Sequence, residues 1–260
     1  MGLFKIGVST SWWDMIRPPL DISTNGHLID DLFNYTTWLV IFYFILVCIG
    51  LFGFCYLYSR KRNKTPYYTY GNKKQHLIFT AIIGAAVFLS IDLNIARIAN
   101  NDLVDTFWKW PDYKTEKVLR VEVMAQQWMW SFRYAGPDGV FSTADDVVTN
   151  NDLRVPVGTK ILFHLTSKDV IHSFFVPNVR LKVDTIPGRV TRVWWDVNRP
   201  GVYDIACAEM CGAHHYLMKA RLTVYSEEDF NNWMKSSELV AANTNDPTDA
   251  NLAWGWKWED

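Results

Sequence analysis

Two hydrophobic periodicities divide the chain. Residues 38–58, WLVIFYFILVCIGLFGFCYLY, run for 21 positions without a charge, and a helix needs about 20 residues to cross a bilayer. A second apolar stretch, 77–98, is uncharged only as far as Ile91, with Asp92, Asn94 and Arg97 following. Alone it could be a buried core helix. Paired with the first it reads as the returning span, its polar residues at the outer end where headgroups and water solvate them. From residue 117 the period changes to two. In KVLRVEV, Leu119, Val121 and Val123 alternate with Arg120 and Glu122. In KILFHLT, Ile161, Phe163 and Leu165 share a face, and in KARLTVY, Ala220, Leu222 and Val224 alternate with Lys219, Arg221 and Thr223. Turn signals separate these runs (GPDG at 136–139, VPVG at 155–158, IPGR at 186–189, RPG at 199–201). Short alternating strands at this spacing predict an antiparallel sandwich or barrel. SEEDFNNWMK then opens a helix, with Ser226 and Asp229 placed as a capping box, and the following NTNDPTDAN is too polar to pack.

The predicted organisation is an N-terminal segment (1–30), a helical hairpin (31–98, spans about 32–58 and 77–98), a polar linker (99–116), an all-β domain (117–225), and a C-terminal helix and acidic tail (226–260). Charge orients the hairpin. Residues 59–76 hold Arg60, Lys61, Arg62, Lys64, Lys73 and Lys74 and no acid, and short cytoplasmic loops accumulate Lys and Arg. Both termini and the β domain are therefore expected outside. The first 30 residues lack a basic-then-apolar start with a small-residue cleavage site, so no signal peptide is expected. A net charge of −1 gives no reason to expect a nucleic-acid partner.

The chemistry concentrates in CAEMCGAHHYLM, 207–218, which holds two of the four cysteines and two of the six histidines. Cys48 and Cys55, seven apart in the first span, read as packing residues. A Cys207–Cys211 disulfide suits an extracytoplasmic location but leaves the histidines and Met218 without a role. Covalent haem needs C-x-x-C-H, and Ala208 stands where its first cysteine should be. Thiolates and imidazoles suit zinc or copper, and the soft thioether favours copper. One cysteine, one histidine and Met218 with an upstream His would make a mononuclear blue-copper site, whereas two thiolates can bridge two copper ions if a second His is supplied. His164, inside a strand, reads as structural. His172, after that strand in a loop, is the better candidate. Asp138, Asp145 and Asp146 lack EF-hand spacing and read as a solvated hairpin loop.

DVIHSFFVPNVRLKVDTIPGR, followed by RPGVYDIACAEMCGAHHYLM, resembles subunit II of the haem–copper cytochrome c oxidases, as does QQWMWSFRY (126–134). The resemblance runs in order through both spans and the β domain to about Tyr225. It implies a two-helix transmembrane hairpin plus an all-β cupredoxin-like Greek-key barrel carrying CuA, a centre of two copper ions. It assigns Cys207 and Cys211 as bridging thiolates, His172 and His215 as imidazole ligands, and Met218 and the Glu209 carbonyl as weak outer ligands. His214 is then a neighbour of the centre. The Glu209 carboxylate would reach a magnesium ion shared with subunit I, and Trp128 would receive the donor's electrons, unless it is only a packed aromatic.

The implied function is electron input to a proton-pumping terminal oxidase, from cytochrome c or an equivalent donor to the haem of subunit I, where dioxygen is reduced. Subunits I and III would be partners, and the location a bacterial inner membrane rather than a mitochondrial one, with the copper domain on the periplasmic side. Alternatives are the CuA subunit of a nitric oxide reductase, a membrane-anchored copper chaperone, and a structural zinc module. Two features depart from the family. Residues 117–225 carry ten acids and thirteen bases, where docking of a basic cytochrome c calls for surface acids, although Asp169 and Asp184 fall in family-like positions. And the second span starts NKKQHLIFT, with His76 where many members carry a carboxylate at the mouth of a proton route.

Overall fold

A computed structural model describes residues 18–65, 68–244 and Trp254. The described chain forms two units, a helical one at 27–110 and a β one built from 111–260 together with the N-terminal residues up to 26.

In the helical unit, α1 (Gly26–Leu57) and α2 (Lys74–Phe107) are both long and apolar enough to cross a membrane. Both outrun the apolar stretches that predicted them. The second continues nine residues past position 98 into the segment read as a polar linker, with π-helical turns at Phe88–Asp92 and Leu103–Phe107. Its polarity misled, because no Gly or Pro interrupts the chain between Gly84 and Pro111, and nothing else stops a helix whose exposed face is polar. Arg97 donates to Asn94 one turn earlier (2.9 Å), and Asn94 meets the Tyr35 hydroxyl on α1 (3.4 Å). His76 lies exposed in the first turn of α2.

Among the described residues the β unit has ten strands: β1 (Val118–Gln126), β2 (Met129–Tyr134), β3 (Val147–Asn150), β4 (Asp152–Pro156), β5 (Lys160–Ser167), β6 (His172–Val176), β7 (Leu181–Thr185), β8 (Thr191–Trp195), β9 (Gly201–Cys207) and β10 (Lys219–Tyr225). They form two five-stranded sheets, in the orders β3-β2-β1-β5-β8 and β4-β10-β9-β6-β7. The sheets are mixed rather than purely antiparallel, since β1 runs parallel to β5 and β4 to β10. Period-two alternation sets which face of a strand is apolar and is silent on its direction. Between the sheets pack Val121, Val123, Trp130, Phe132, Phe163, Leu165, Phe174, Ile205 and Leu222, none more than 2% exposed. At the C-terminal end, α3 (Glu227–Thr244) starts with the expected capping pair, Asp229 N–H donating to Ser226 Oγ (3.1 Å) and Ser226 Oγ–H to Asp229 Oδ2 (2.7 Å). The tail from 245 onward, Trp254 apart, lies outside the described residues.

The N-terminal segment joins this core. Ile22 is fully buried in it, its N–H donating to Asn178 O (2.9 Å) and its carbonyl accepting from Asn198 N–H (2.8 Å). Gly26 opens α1 because a Cβ there would lie 2.3 Å from the Asp21 carboxylate.

The outer face of the first sheet carries a row of charge at one register, Arg133, Glu122, His164 and Arg192 across β2, β1, β5 and β8. Asp146 joins it. Far from being a solvated loop acid, it is 1% exposed and accepts the Ser142 N–H (2.7 Å). His164 is 9% exposed; burial above all, then Arg192 and Arg120, hold its imidazole down to about 4. Because the folded value lies below the unfolded 6.5, the unfolded chain binds the proton more readily, and stability falls as pH drops from about 6.5 toward 4. The loss expected is on the order of 3 kcal/mol, at 1.36 kcal/mol per pKa unit. Thermal unfolding of the detergent-solubilised chain across this range checks it: His164→Gln should flatten the slope, and equal slopes in both proteins would refute it.

Candidate metal centre

One end of the barrel gathers the cluster. His172 is the first residue of β6 rather than part of the loop before it, and is fully buried. Cys207 ends β9, and its register partner is Phe174, two residues beyond His172. The chain from 208 to 218 loops out and returns into β10, its base closed by Lys219 pairing with Ala206 and by the Cys207 N–H donating to Met218 O (3.2 Å). A short 3-10 turn, His215–Leu217, folds the loop inward and buries Met218 to 1%.

The donors converge. The two sulfurs lie 3.8 Å apart, both cysteines unbridged. His172 Nδ1 is 3.9 Å from Cys207 Sγ, His215 Nδ1 is 3.5 Å from Cys211 Sγ, and Met218 Sδ is 3.9 Å from the latter. The Glu209 carbonyl lies 3.2 Å from Cys207 Sγ. Each of these atoms therefore lies within 3.9 Å of one of the two sulfurs. His172, Cys207 and Cys211 alone already form a buried group able to hold a metal. Glu209 itself is exposed.

The sulfurs differ in acidity. Burial raises Cys207, but the imidazole of His172 and backbone contacts at Ser173 and Glu209 outweigh it and bring the thiol down to about 6. Burial also raises Cys211, and the Cys207 sulfur adds to it, pushing the thiol up to about 12. For His172, burial lowers the pKa, and its contacts with Cys207 and Asp169 prevail and raise it.

Trp128 belongs to the turn between β1 and β2, and its ring packs edge-to-face on His214 (centroids 4.5 Å apart, 87°). The preceding Gln127 donates through Nε2 to Cys211 O (2.8 Å). Gly212, at φ +117°, permits this approach, since a Cβ would meet Gln127 Nε2 at 2.9 Å and Trp128 at 3.3 Å. Trp130, two residues on, is fully buried and packs against His172 (6.2 Å) and Phe174 (5.5 Å). Gln127, Gly212 and Trp130 escaped the sequence reading because each acts through contacts between segments distant in sequence. Asp169, three residues before His172, carried a signal in that spacing.

Residues 119–224 match the family model described as cytochrome c oxidase subunit II, periplasmic domain. The alternative cytochrome c oxidase subunit 2 of Bradyrhizobium diazoefficiens is 32% identical over 252 residues, 88% of this chain and 85% of that protein. A probable cytochrome c oxidase subunit 2 from Rickettsia bellii is 31% identical over 249 residues, 89% and 87% of the two chains. Among solved structures, the periplasmic domain of subunit II of cytochrome oxidase from Bradyrhizobium japonicum is 27% identical, with a TM-score of 0.43, covering 48% of this chain and 96% of that one.

Proposed function

The chain belongs to the cytochrome c oxidase subunit II family, and we propose that it is the membrane-anchored electron-input subunit of a haem–copper terminal oxidase. It would accept electrons from cytochrome c or an equivalent donor and deliver them to the haem of subunit I, where dioxygen reduction is coupled to proton pumping. Subunits I and III are its expected partners. The observation that carries the reading is the approach of two free thiols to 3.8 Å, each with its own imidazole Nδ1 at 3.5–3.9 Å. A blue-copper site would leave the second sulfur idle, and a structural zinc site has little use for a buried thioether.

The residues present fit a copper pair. Cys207 and Cys211 would bridge it, His172 and His215 would each hold one ion, and Met218 and the Glu209 carbonyl would be the weak outer ligands. A bound pair supplies reversible one-electron chemistry. The protein's part is rigidity and dryness. The loop is pinned at its base by strand pairing, and Met218, Cys211, Trp130 and Phe174 keep water from the inner side. Trp128, touching the outer side of the loop, is the proposed point where electrons arrive. The exposed Glu209 carboxylate would contribute to a magnesium site at the boundary with subunit I.

Metal analysis and electron paramagnetic resonance on the purified complex test this. Two coppers per chain, a mixed-valence signal and dioxygen consumption with reduced cytochrome c are expected. Zinc or a single copper would sink the binuclear assignment. Reduction of nitric oxide in place of dioxygen would make the chain a reductase subunit, and copper handed to other proteins without turnover would make it a chaperone.

A further inference from the structure

Asp169 precedes His172 by three residues, and its carboxylate is committed at both oxygens. Oδ2 accepts the Gln127 backbone N–H (2.7 Å). Oδ1 lies 2.9 Å from His172 Nε2, the ring nitrogen opposite the one that faces Cys207, and also accepts the Val170 N–H (2.6 Å). The loop bearing it is fastened to the end of β1 by the Lys168 N–H donating to Ala125 O (2.9 Å). Gln127 in turn reaches Cys211 O. A closed circuit results: His172 to Asp169, to Gln127, to Cys211, across the two sulfurs to Cys207, and back to His172. Trp128 follows Gln127 directly in the chain. Asp184, the other acid at a family-like position, also has an internal partner, accepting from Ser173 Oγ (2.7 Å).

We propose that Asp169 is a positioning residue, which aims the Nδ1 of His172 at the sulfurs and, through Gln127, holds the Trp128 turn against the Cys211 loop, rather than a docking charge for a cationic donor. This rests on the copper reading above. The chemistry requires a carboxylate. Two oxygens accept from two donors on different segments, and the hydrogen bond at Nε2 leaves the Nδ1 lone pair free for metal. An amide can satisfy only one of the two, since its NH2 would face a donor.

The test compares Asp169→Asn and Asp169→Glu with wild type in the assembled complex. The readouts are copper retention against a chelator, the visible and electron paramagnetic resonance spectra, and KM and kcat for donor oxidation over a range of salt. A positioning role predicts that both variants lose copper affinity by about 10–100-fold, with altered spectra, lower kcat and little change in KM. The glutamate keeps the charge and displaces the carboxylate by one methylene, so it separates the two roles. If Asp169→Glu matches wild type in copper retention and spectrum, or if Asp169→Asn only raises KM and flattens the salt dependence, the proposal is overturned. If Asp169→Asn does not assemble, Asp169→Glu decides alone. Failure of the underlying copper reading would look different, because wild type itself would then lack the copper pair.

Discussion

Serine at position 211 is expected to abolish the mixed-valence signal and leave one copper per chain or none, and serine at 207 to do the same. Both sulfurs lie at the focus of the donor set, 3.8 Å apart, with an imidazole and a further weak donor beside each. A hydroxyl there is harder than a thiolate and stays protonated at neutral pH, so it can neither bridge two soft ions nor share an unpaired electron between them. Donor oxidation should fall by more than ~100-fold, the upper end of what loss of a mere supporting hydrogen bond costs. Copper content and the resonance spectrum of the purified complex provide the measurement. Full copper loading with an unaltered spectrum in either variant would exclude the pair as bridging ligands.

The second large effect lies away from the metal. Arg133 Nε donates to Glu122 Oε2 at 2.6 Å, Arg133 Nη2 contacts the same carboxylate, and Asp146 stands 3.6 Å from Nε. All three are at most 1% exposed, and the Trp254 ring lies 4.1 Å from the guanidinium. Glu122→Ala removes the nearer carboxylate from the buried Arg133, and is expected to destabilise the β unit by about 3–5 kcal/mol. Glu122→Leu combined with Arg133→Met and Asp146→Asn should recover much of this, since removing all three charges also removes the cost of burying them. Chemical denaturation of the solubilised chain, followed by tryptophan fluorescence, checks both. A loss below about 1 kcal/mol for the single variant would mean that the pair is solvated in solution.

The alternation in KVLRVEV, KILFHLT and KARLTVY marked out β1, β5 and β10 because a strand's inward face must be apolar whatever it pairs with. The same pattern predicted that Glu122 and His164 face outward. It could not predict that they would be buried there, since their cover comes from segments elsewhere in the chain. The apolar run at 38–58 identified a spanning helix through its length alone. Polarity mistook residues 99–107 for linker, because a helix that leaves the apolar phase need not stop.

At the metal centre the division is equally physical. The two cysteines, a histidine and Met218 within residues 207–218, and the upstream His172, were legible as candidate ligands from chemistry and local spacing, because a loop of that length can fold its own side chains onto one point. The Glu209 carbonyl and the choice of His215 over His214 came from the family resemblance. The sequence by itself therefore determined the two spans and the strand faces and supplied the proposed donor set, all of them carried largely by short segments. Tertiary structure decided the parallel pairing of β1 with β5 and β4 with β10, the burial of Ile22 in a core that begins about a hundred residues later, and the link from His172 through Asp169 and Gln127 to Cys211. Each of these joins segments far apart along the chain, and such contacts depend on how the sheets stack and where the loops end, which no local pattern of residues encodes.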